Sequence, residues 1–343
     1  MSEHALLTAS GLNVAYPVAR SGPFGRRQYI RPVDQLSLEV AAGETLGLVG
    51  ESGSGKSTLG RLLVAVERPN SGSVIFDGED VTKLAPSALR RLRPRMQMIY
   101  QDPSSSLNPR WSAEMIIGEG MAVQGVPRAR RRAAVGHFLD QVGLPASAIH
   151  KYPHEFSGGE RQRLAIARAL VAEPRLIVAD ECVSALDVSV QSKVINLLQQ
   201  LKRDLKLTYV FVSHDLAVTR YIADRTAVMY LGQIVELGPS GDLYSRPLHP
   251  YTMSLIDAIP RVRTTGEAER ERITIHGDPP SLLNLPSGCR FRTRCPFAMD
   301  DPCAIATPQL VELMPGRAVA CHLAHTIANG ELRAREVDDG VRA

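Results

Sequence analysis

Apolar and polar positions alternate over Leu36-Ser37-Leu38-Glu39-Val40, the period-two signature of a strand with one buried face. A turn at Ala42-Gly43-Glu44 follows. The run Thr45-Leu46-Gly47-Leu48-Val49 is short, apolar and bounded by glycines, as in a parallel strand buried on both faces. From Lys56 the spacing changes: Leu59, Leu62, Leu63 and Val66 fall on one face of a helix, which the turn residues Pro69-Asn70-Ser71-Gly72 close. Strands are predicted over 73–76 and 96–100, and a mostly helical stretch from Asp102 to about Pro153. Beyond it come a helix over 160–170, a strand over 176–179, a helix over 190–205 and a strand over 208–212. This alternation predicts an α/β domain with a mainly parallel sheet. After about Tyr251 regularity fades and Pro279-Pro280 and Pro286-Ser287-Gly288 appear, so a domain boundary is placed near there. No internal repeat is evident.

Composition narrows the class. A chain of 343 residues suggests about two domains, long enough to bury a core without disulfides. The net charge of +4 does not by itself imply nucleic acid. Two basic runs, Arg90, Arg91, Arg93, Arg95 and Arg128, Arg130, Arg131, Arg132, read as solvated faces or as contacts to anionic lipid or a membrane partner. No stretch approaches the ~20 apolar residues of a membrane helix, and Met1-Ser2-Glu3-His4-Ala5 does not begin a signal peptide. The expectation is a cytoplasmic protein whose membrane role, if any, is borrowed from partners. Of five cysteines, Cys182 stands alone, while Cys289, Cys295, Cys303 and Cys321 crowd the end of the chain. In a cytosolic protein such a cluster points more to metal than to disulfides.

The candidate chemistry starts at Gly50-Glu51-Ser52-Gly53-Ser54-Gly55-Lys56-Ser57-Thr58. It fits G-x-x-x-x-G-K-[ST] between a predicted strand and a predicted helix, the context that supports a phosphate loop. Its glycines let backbone N–H groups turn inward around phosphate oxygens, and the helix N-terminus adds partial positive charge. Lys56 would reach the β- and γ-phosphates, and Ser57 would ligate Mg²⁺. The strand Leu176-Ile177-Val178-Ala179 ends in Asp180-Glu181. Asp180 would hold Mg²⁺ directly or through water, and Glu181 would polarise the attacking water as general base.

Between these motifs lies Phe156-Ser157-Gly158-Gly159-Glu160-Arg161-Gln162-Arg163. Here the chain resembles the ATP-binding cassette (ABC) family, whose signature is close to L-S-G-G-Q, with Phe156 and Glu160 departing from it. The resemblance implies a P-loop NTPase cassette: a RecA-like parallel core, an antiparallel β subdomain and a helical subdomain at about 102–155. It also implies that Ser157, Gly158, Gly159 and Glu160 cradle ATP held by the opposite subunit. Gln101 looks like the Q-loop glutamine, contacting Mg²⁺ or water. Asp187 in Ser184-Ala185-Leu186-Asp187 looks like the D-loop, and His214 like the switch histidine on the γ-phosphate. Tyr16 is chosen to stack on adenine, with Tyr29 as rival, and 22–27 looks like an insertion.

Three segments are similar to oligopeptide and dipeptide importer ATPases: 100–110, His249-Pro250-Tyr251-Thr252, and 286–296. The cassette is accordingly assigned to 1–250 and a C-terminal extension to 251–343. The subfamily resemblance implies a [4Fe–4S] cluster on Cys289, Cys295, Cys303 and Cys321, with Zn²⁺ as alternative and His322 as a substitute ligand. Unligated buried thiols remain the plain alternative. The implied partners are a second ATPase subunit, identical or related, two transmembrane permease subunits and an extracytoplasmic solute-binding protein. The implied location is peripheral, on the cytoplasmic face of the membrane. A soluble ABC ATPase in translation or repair, and a metabolic P-loop kinase, are the rival classes. One cassette without sustained heptads counts against the first, and Ser157-Gly158-Gly159 against the second.

Overall fold

The computed structural model describes residues 5–18, 27–259, 275 and 277–331. The proposed insertion at 22–27 falls almost wholly outside them. The chain opens with β1 (Ala5–Pro17), β2 (Tyr29–Ala41), β3 (Thr45–Val49), α1 (Lys56–Leu63), β4 (Ser71–Phe76), β5 (Glu79–Asp80), α2 (Pro86–Leu92) and β6 (Met96–Ile99). Four helices follow: α3 (Pro103–Ser106), α4 (Ala113–Val123), α5 (Arg128–Gln141) and α6 (Gly158–Leu170). Strands and helices then alternate as β7 (Leu176–Asp180), α7 (Val188–Leu205), β8 (Thr208–Ser213), α8 (Leu216–Ile222), β9 (Arg225–Tyr230) and β10 (Gln233–Pro239). The described chain closes with α9 (Ser240–Ser245), α10 (Pro250–Asp257), β11 (Val311–Met314), β12 (Arg317–Val319) and α11 (Ala324–Ala328).

These elements form two compact units. One gathers the stretch up to Leu12, Ser37–Gly47 and Ser57–Ser213. The other gathers Asn13–Leu36, Leu48–Lys56 and the chain from His214 onward.

The first unit carries the parallel strands in the order β3-β8-β7-β6. Ile99 lies opposite Ala179 and Ala179 opposite Phe211 in parallel register. Every residue of β7 and β8 is buried, which is why these runs are continuously apolar rather than alternating. An antiparallel sheet orders β2-β1-β4-β5. The helical stretch is present: α4 packs on α5 and α6, and Ile116, Ile117, Val135, Leu139 and Leu164 on these helices are all buried. Each such side chain contributes about 1.5–3 kcal/mol of transfer free energy. In the second basic run, at the start of α5, Arg128, Arg130 and Arg132 are exposed and Arg131 is half-buried.

In the second unit β9 and β10 pair antiparallel, and β10 carries β12 and β11 on its other edge. That β11–β12 pair lies where the sequence loses regularity. Its strands of four and three residues are too short to show a period, and Val311 and Glu312 are exposed. The core of this unit is aromatic. Tyr230, Tyr251 and Phe291 are all buried, with ring centroids 4.6–5.4 Å apart.

Helix starts differ from expectation by about two residues, for one physical reason. Ser157 and Asp187 cap α6 and α7 with their side chains, so the helices begin directly after them.

Candidate nucleotide site

The phosphate-loop residues follow β3 and lead into α1, as expected. Gly50 and Gly55 adopt φ of 153° and 104°. A Cβ on Gly50 would collide with the Met229 carbonyl oxygen, and one on Gly55 with that of Pro32. Only glycine fits this path. Lys56 is buried. Its Nζ donates to the carbonyls of Gly50 at 2.8 Å and Glu51 at 2.9 Å, curling back over the loop. Ser54 and Thr58 are buried, Gly55 and Ser57 half-buried, and Ser52 and Gly53 exposed. Ser54 Oγ has no hydrogen-bond partner among the described residues, an unmet polar group of the kind a ligand satisfies.

Ser57 Oγ donates to Asp180 Oδ1 at 2.9 Å. Asp180 is the buried last residue of β7. A hydroxyl and a carboxylate sharing one point form the hard-oxygen pair that suits Mg²⁺. One residue on, Glu181 turns into the left-handed region at φ 44°, uncommon for a residue with a side chain. Its N–H donates to Val212 O at 3.0 Å. Gln101 Nε2 donates to Glu181 Oε2 at 2.9 Å, bringing together two residues the sequence separates widely. His214 is exposed just beyond β8. Tyr16 is half-buried near the end of β1, and Tyr29 is 48% exposed at the start of β2.

The signature segment forms a reciprocal cap. Ser157 N–H donates to Glu160 Oε2 at 2.8 Å, and Glu160 N–H to Ser157 Oγ at 3.4 Å. The Ser157 N–H bond holds the Glu160 carboxyl below its ordinary range. Glu160, where the family motif has Gln, thus has a local role in this chain. At Gly159 a Cβ would run into the Val190 side chain. Asp187 accepts from the Val190 N–H at 2.9 Å, which lowers its pKa.

Sequence reasoning did not foresee that the C-terminal extension reaches this loop. Arg294 makes a two-pronged ion pair with Glu51, at 2.8 and 3.1 Å. Tyr251 Oη accepts the Glu51 N–H at 2.8 Å. The signal was the segment 286–296, which marked a subfamily without revealing a contact.

All five cysteines are free thiols. Burial pushes Cys182, Cys295 and Cys321 up to about 12. Cys289 and Cys295 pack against the aromatic core of the second unit, and Cys295 and Cys321 against a second buried cluster that includes Phe297 and Val319. Among the described residues, however, no three His, Cys, Asp or Glu side chains are disposed as a ligand set. The His322 ring nitrogen Nε2 instead bonds Ala306 O at 2.8 Å.

Two family models match the chain: "ABC transporter" over residues 33–184, and "Oligopeptide/dipeptide transporter, C-terminal region" over 235–303. A Brucella ovis protein, named as a peptide import ATP-binding protein, is 50% identical over 322 residues, 94% of this chain and 98% of that protein. The oligopeptide transport ATP-binding protein AppF of Bacillus subtilis is 46% identical over 325 residues, 94% of this chain and 98% of its own length. Among solved structures, cbiO1 of Clostridium perfringens, part of the ABC transporter complex cbiONQ, superposes with a TM-score of 0.62 at 25% identity. The match covers 71% of this chain and 92% of cbiO1. The ATP-binding cassette MJ0796, solved as a dimer bound to ADP and Pi, gives 0.60 at 26% identity over 68% of this chain and 98% of its own. Sharing half its residues with such a relative over nearly its whole length, the chain belongs to the ATP-binding subunits of ABC transporters, in their peptide-import branch.

Proposed function

We propose that this chain hydrolyses ATP to energise uptake of dipeptides, oligopeptides or similar solutes through partner membrane subunits. The observation that carries this reading is the Ser57–Asp180 hydrogen bond. It joins the first turn of α1, whose Ser57 would ligate the metal, to the strand end that would hold the same metal. Ser57, Asp180 and Gln101 would hold Mg²⁺, which when bound neutralises charge on the β- and γ-phosphate oxygens. Lys56 would exchange its carbonyl partners for those oxygens. Glu181, oriented by Gln101, would accept the proton of the attacking water, and His214 would contact the γ-phosphate. Tyr16 would stack on adenine, with exposed Tyr29 the alternative.

Two cassettes would pair head to tail, each ATP lying between the loop of one and Ser157 of the other, with Gly158, Gly159 and Glu160 shaping the cradle and Asp187 at the contact. The solved dimer of MJ0796 supports this pairing. Differential affinity of ATP for the closed pair would drive the cycle. Two permease subunits and an external binding protein complete the assembly in this reading. The surface over about 102–125 would grip a cytoplasmic helix of a membrane subunit, and a groove of about 900 Å³ in the first unit, lined in part by Glu119, Gly120, Val123 and Gln124, supports that reading. Among the described residues no helix is long and apolar enough to cross a membrane; a peripheral place on the cytoplasmic face follows in this reading from the permease partners. We keep residues 1–250 as the cassette and 251–343 as the extension.

A [4Fe–4S] cluster on Cys289, Cys295, Cys303 and Cys321, or Zn²⁺ in its place, rests on donor chemistry alone in this reading. The thiols are not gathered as a ligand set, so no step of turnover is assigned to a metal there. Elemental analysis after anaerobic purification decides among iron, zinc and neither.

The test of the hydrolytic reading is Glu181→Gln. The variant should bind Mg-ATP like the wild type and stall turnover in the assembled transporter. Hydrolysis at the wild-type rate would remove Glu181 from the role of base.

A further inference from the structure

Glu51 puts a carboxylate inside the loop that is to receive a polyanion. Left unpaired, that charge would repel the incoming phosphates. Arg294, from the C-terminal extension, meets it with both arms. Nη1 lies 2.8 Å from Oε2 and Nη2 3.1 Å from Oε1, with the Arg294 side chain 9% exposed. Further donors are also engaged: Nε donates to Gly277 O at 3.1 Å, and Nη1 also reaches Tyr230 Oη at 3.4 Å. This planar, two-pronged geometry belongs to arginine and is not reproduced by lysine.

The same short segment holds the other end of the loop. Arg290 donates to Leu231 O and pairs with Asp34. Asp34 N–H donates to Gly232 O at 3.0 Å, and Gly232 N–H to the loop carbonyl of Ser54 at 2.9 Å. Between the two arginines, Phe291 is buried against Tyr230 and Tyr251. Tyr251 in turn accepts the Glu51 N–H. Cys289 and Cys295 bracket the segment.

We infer that Arg294 is a positioning residue for the nucleotide: it neutralises Glu51 and fixes the entry of the phosphate loop, so the C-terminal extension sets the affinity for Mg-ATP. This rests on the nucleotide reading above. Docking of the extension does not itself require the Glu51 contact, because Phe291 and Arg290 already anchor the segment. The effect of Arg294 is therefore expected on nucleotide affinity more than on folding.

The experiment measures Mg-ATP affinity of the full chain by titration, and KM and kcat in the assembled transporter. Arg294→Ala should weaken Mg-ATP binding on the order of tenfold, the scale of a charge-assisted hydrogen-bond pair. The loss should appear in KM with kcat little changed, and Arg294→Lys should fall between. The double variant Glu51→Gln/Arg294→Ala should recover most of the affinity, because the charge that needed masking is gone. If Arg294→Ala does not fold, the pair Arg294→Lys and Glu51→Gln/Arg294→Lys carries the same comparison. Wild-type affinity in the folded single variants, or no recovery in the double variant, overturns the inference. A wild-type chain that fails to bind Mg-ATP sinks the nucleotide reading itself, and this inference with it.

Discussion

Removing Arg317 should cost the second unit far more than losing an exposed ion pair, which is worth about 0–1 kcal/mol. Glu236 in β10 is fully buried. Its Oε1 accepts from the Leu248 N–H at 2.9 Å and Arg317 Nη2 at 3.0 Å, and its Oε2 from the His249 N–H at 2.9 Å. Burial pushes its carboxyl pKa up, and the N–H groups of Leu248 and His249 and the Arg317 guanidinium pull it back only in part. Arg317→Met strands that charge, at a cost of about 3–5 kcal/mol. The carboxyl escapes by taking a proton, so the loss depends on pH. A folded-state pKa above the unfolded value means that the folded chain holds an extra proton between the two. Stability therefore falls as pH rises through that window. Without Arg317 the window extends further upward. The deficit against the wild type should be smaller at about pH 5 than at about pH 8. Urea or thermal unfolding of the full chain at both pH values measures it. Glu236→Gln/Arg317→Met should recover part of the deficit. A deficit below about 1 kcal/mol at the higher pH, or one that grows on acidification, refutes the reasoning.

Two further outcomes are expected. Ser157→Ala should lower stability by only about 1 kcal/mol, the worth of one helix cap, yet abolish turnover in the assembled transporter. Turnover reduced only in step with the unfolding midpoint would make Ser157 a cap and nothing more. Gly55→Ala should lose Mg-ATP binding or soluble protein, since its Cβ meets the Pro32 carbonyl. Gly53→Ala, at φ 77° with open space around its Cβ, should be milder, at about 1–2 kcal/mol of backbone strain. Equal behaviour of the two in circular dichroism and nucleotide titration would contradict the steric argument.

Wherever adjacent residues encode an element, the sequence was legible. The glycine spacing of the phosphate loop and the apolar runs of β7 and β8 each act over a few positions, whereas the caps at Ser157 and Asp187 moved two helix starts from their expected places. The order Gln101, Ser157, Asp180, Glu181 spans 80 positions and was readable only as a family resemblance. What escaped is long-range. Glu51 and Arg294 lie 243 positions apart, and nothing near either residue announces the other. Strands β11 and β12 become strands only because β10 offers an edge. Glu236 reads as an ordinary polar position among apolar neighbours until Arg317 and two backbone N–H groups converge on it. Tyr251, chosen as the first residue of a separate region, sends its hydroxyl back to the phosphate loop.

The second compact unit collects the phosphate loop from early in the chain and its anchors from much later. During synthesis Glu51 leaves the ribosome long before Tyr251 and Arg294. At ordinary elongation rates the interval is on the order of tens of seconds. Until those residues emerge, the nascent phosphate loop lacks the Tyr251 and Arg294 contacts to Glu51, so the loop is synthesised well before the groups that hold it.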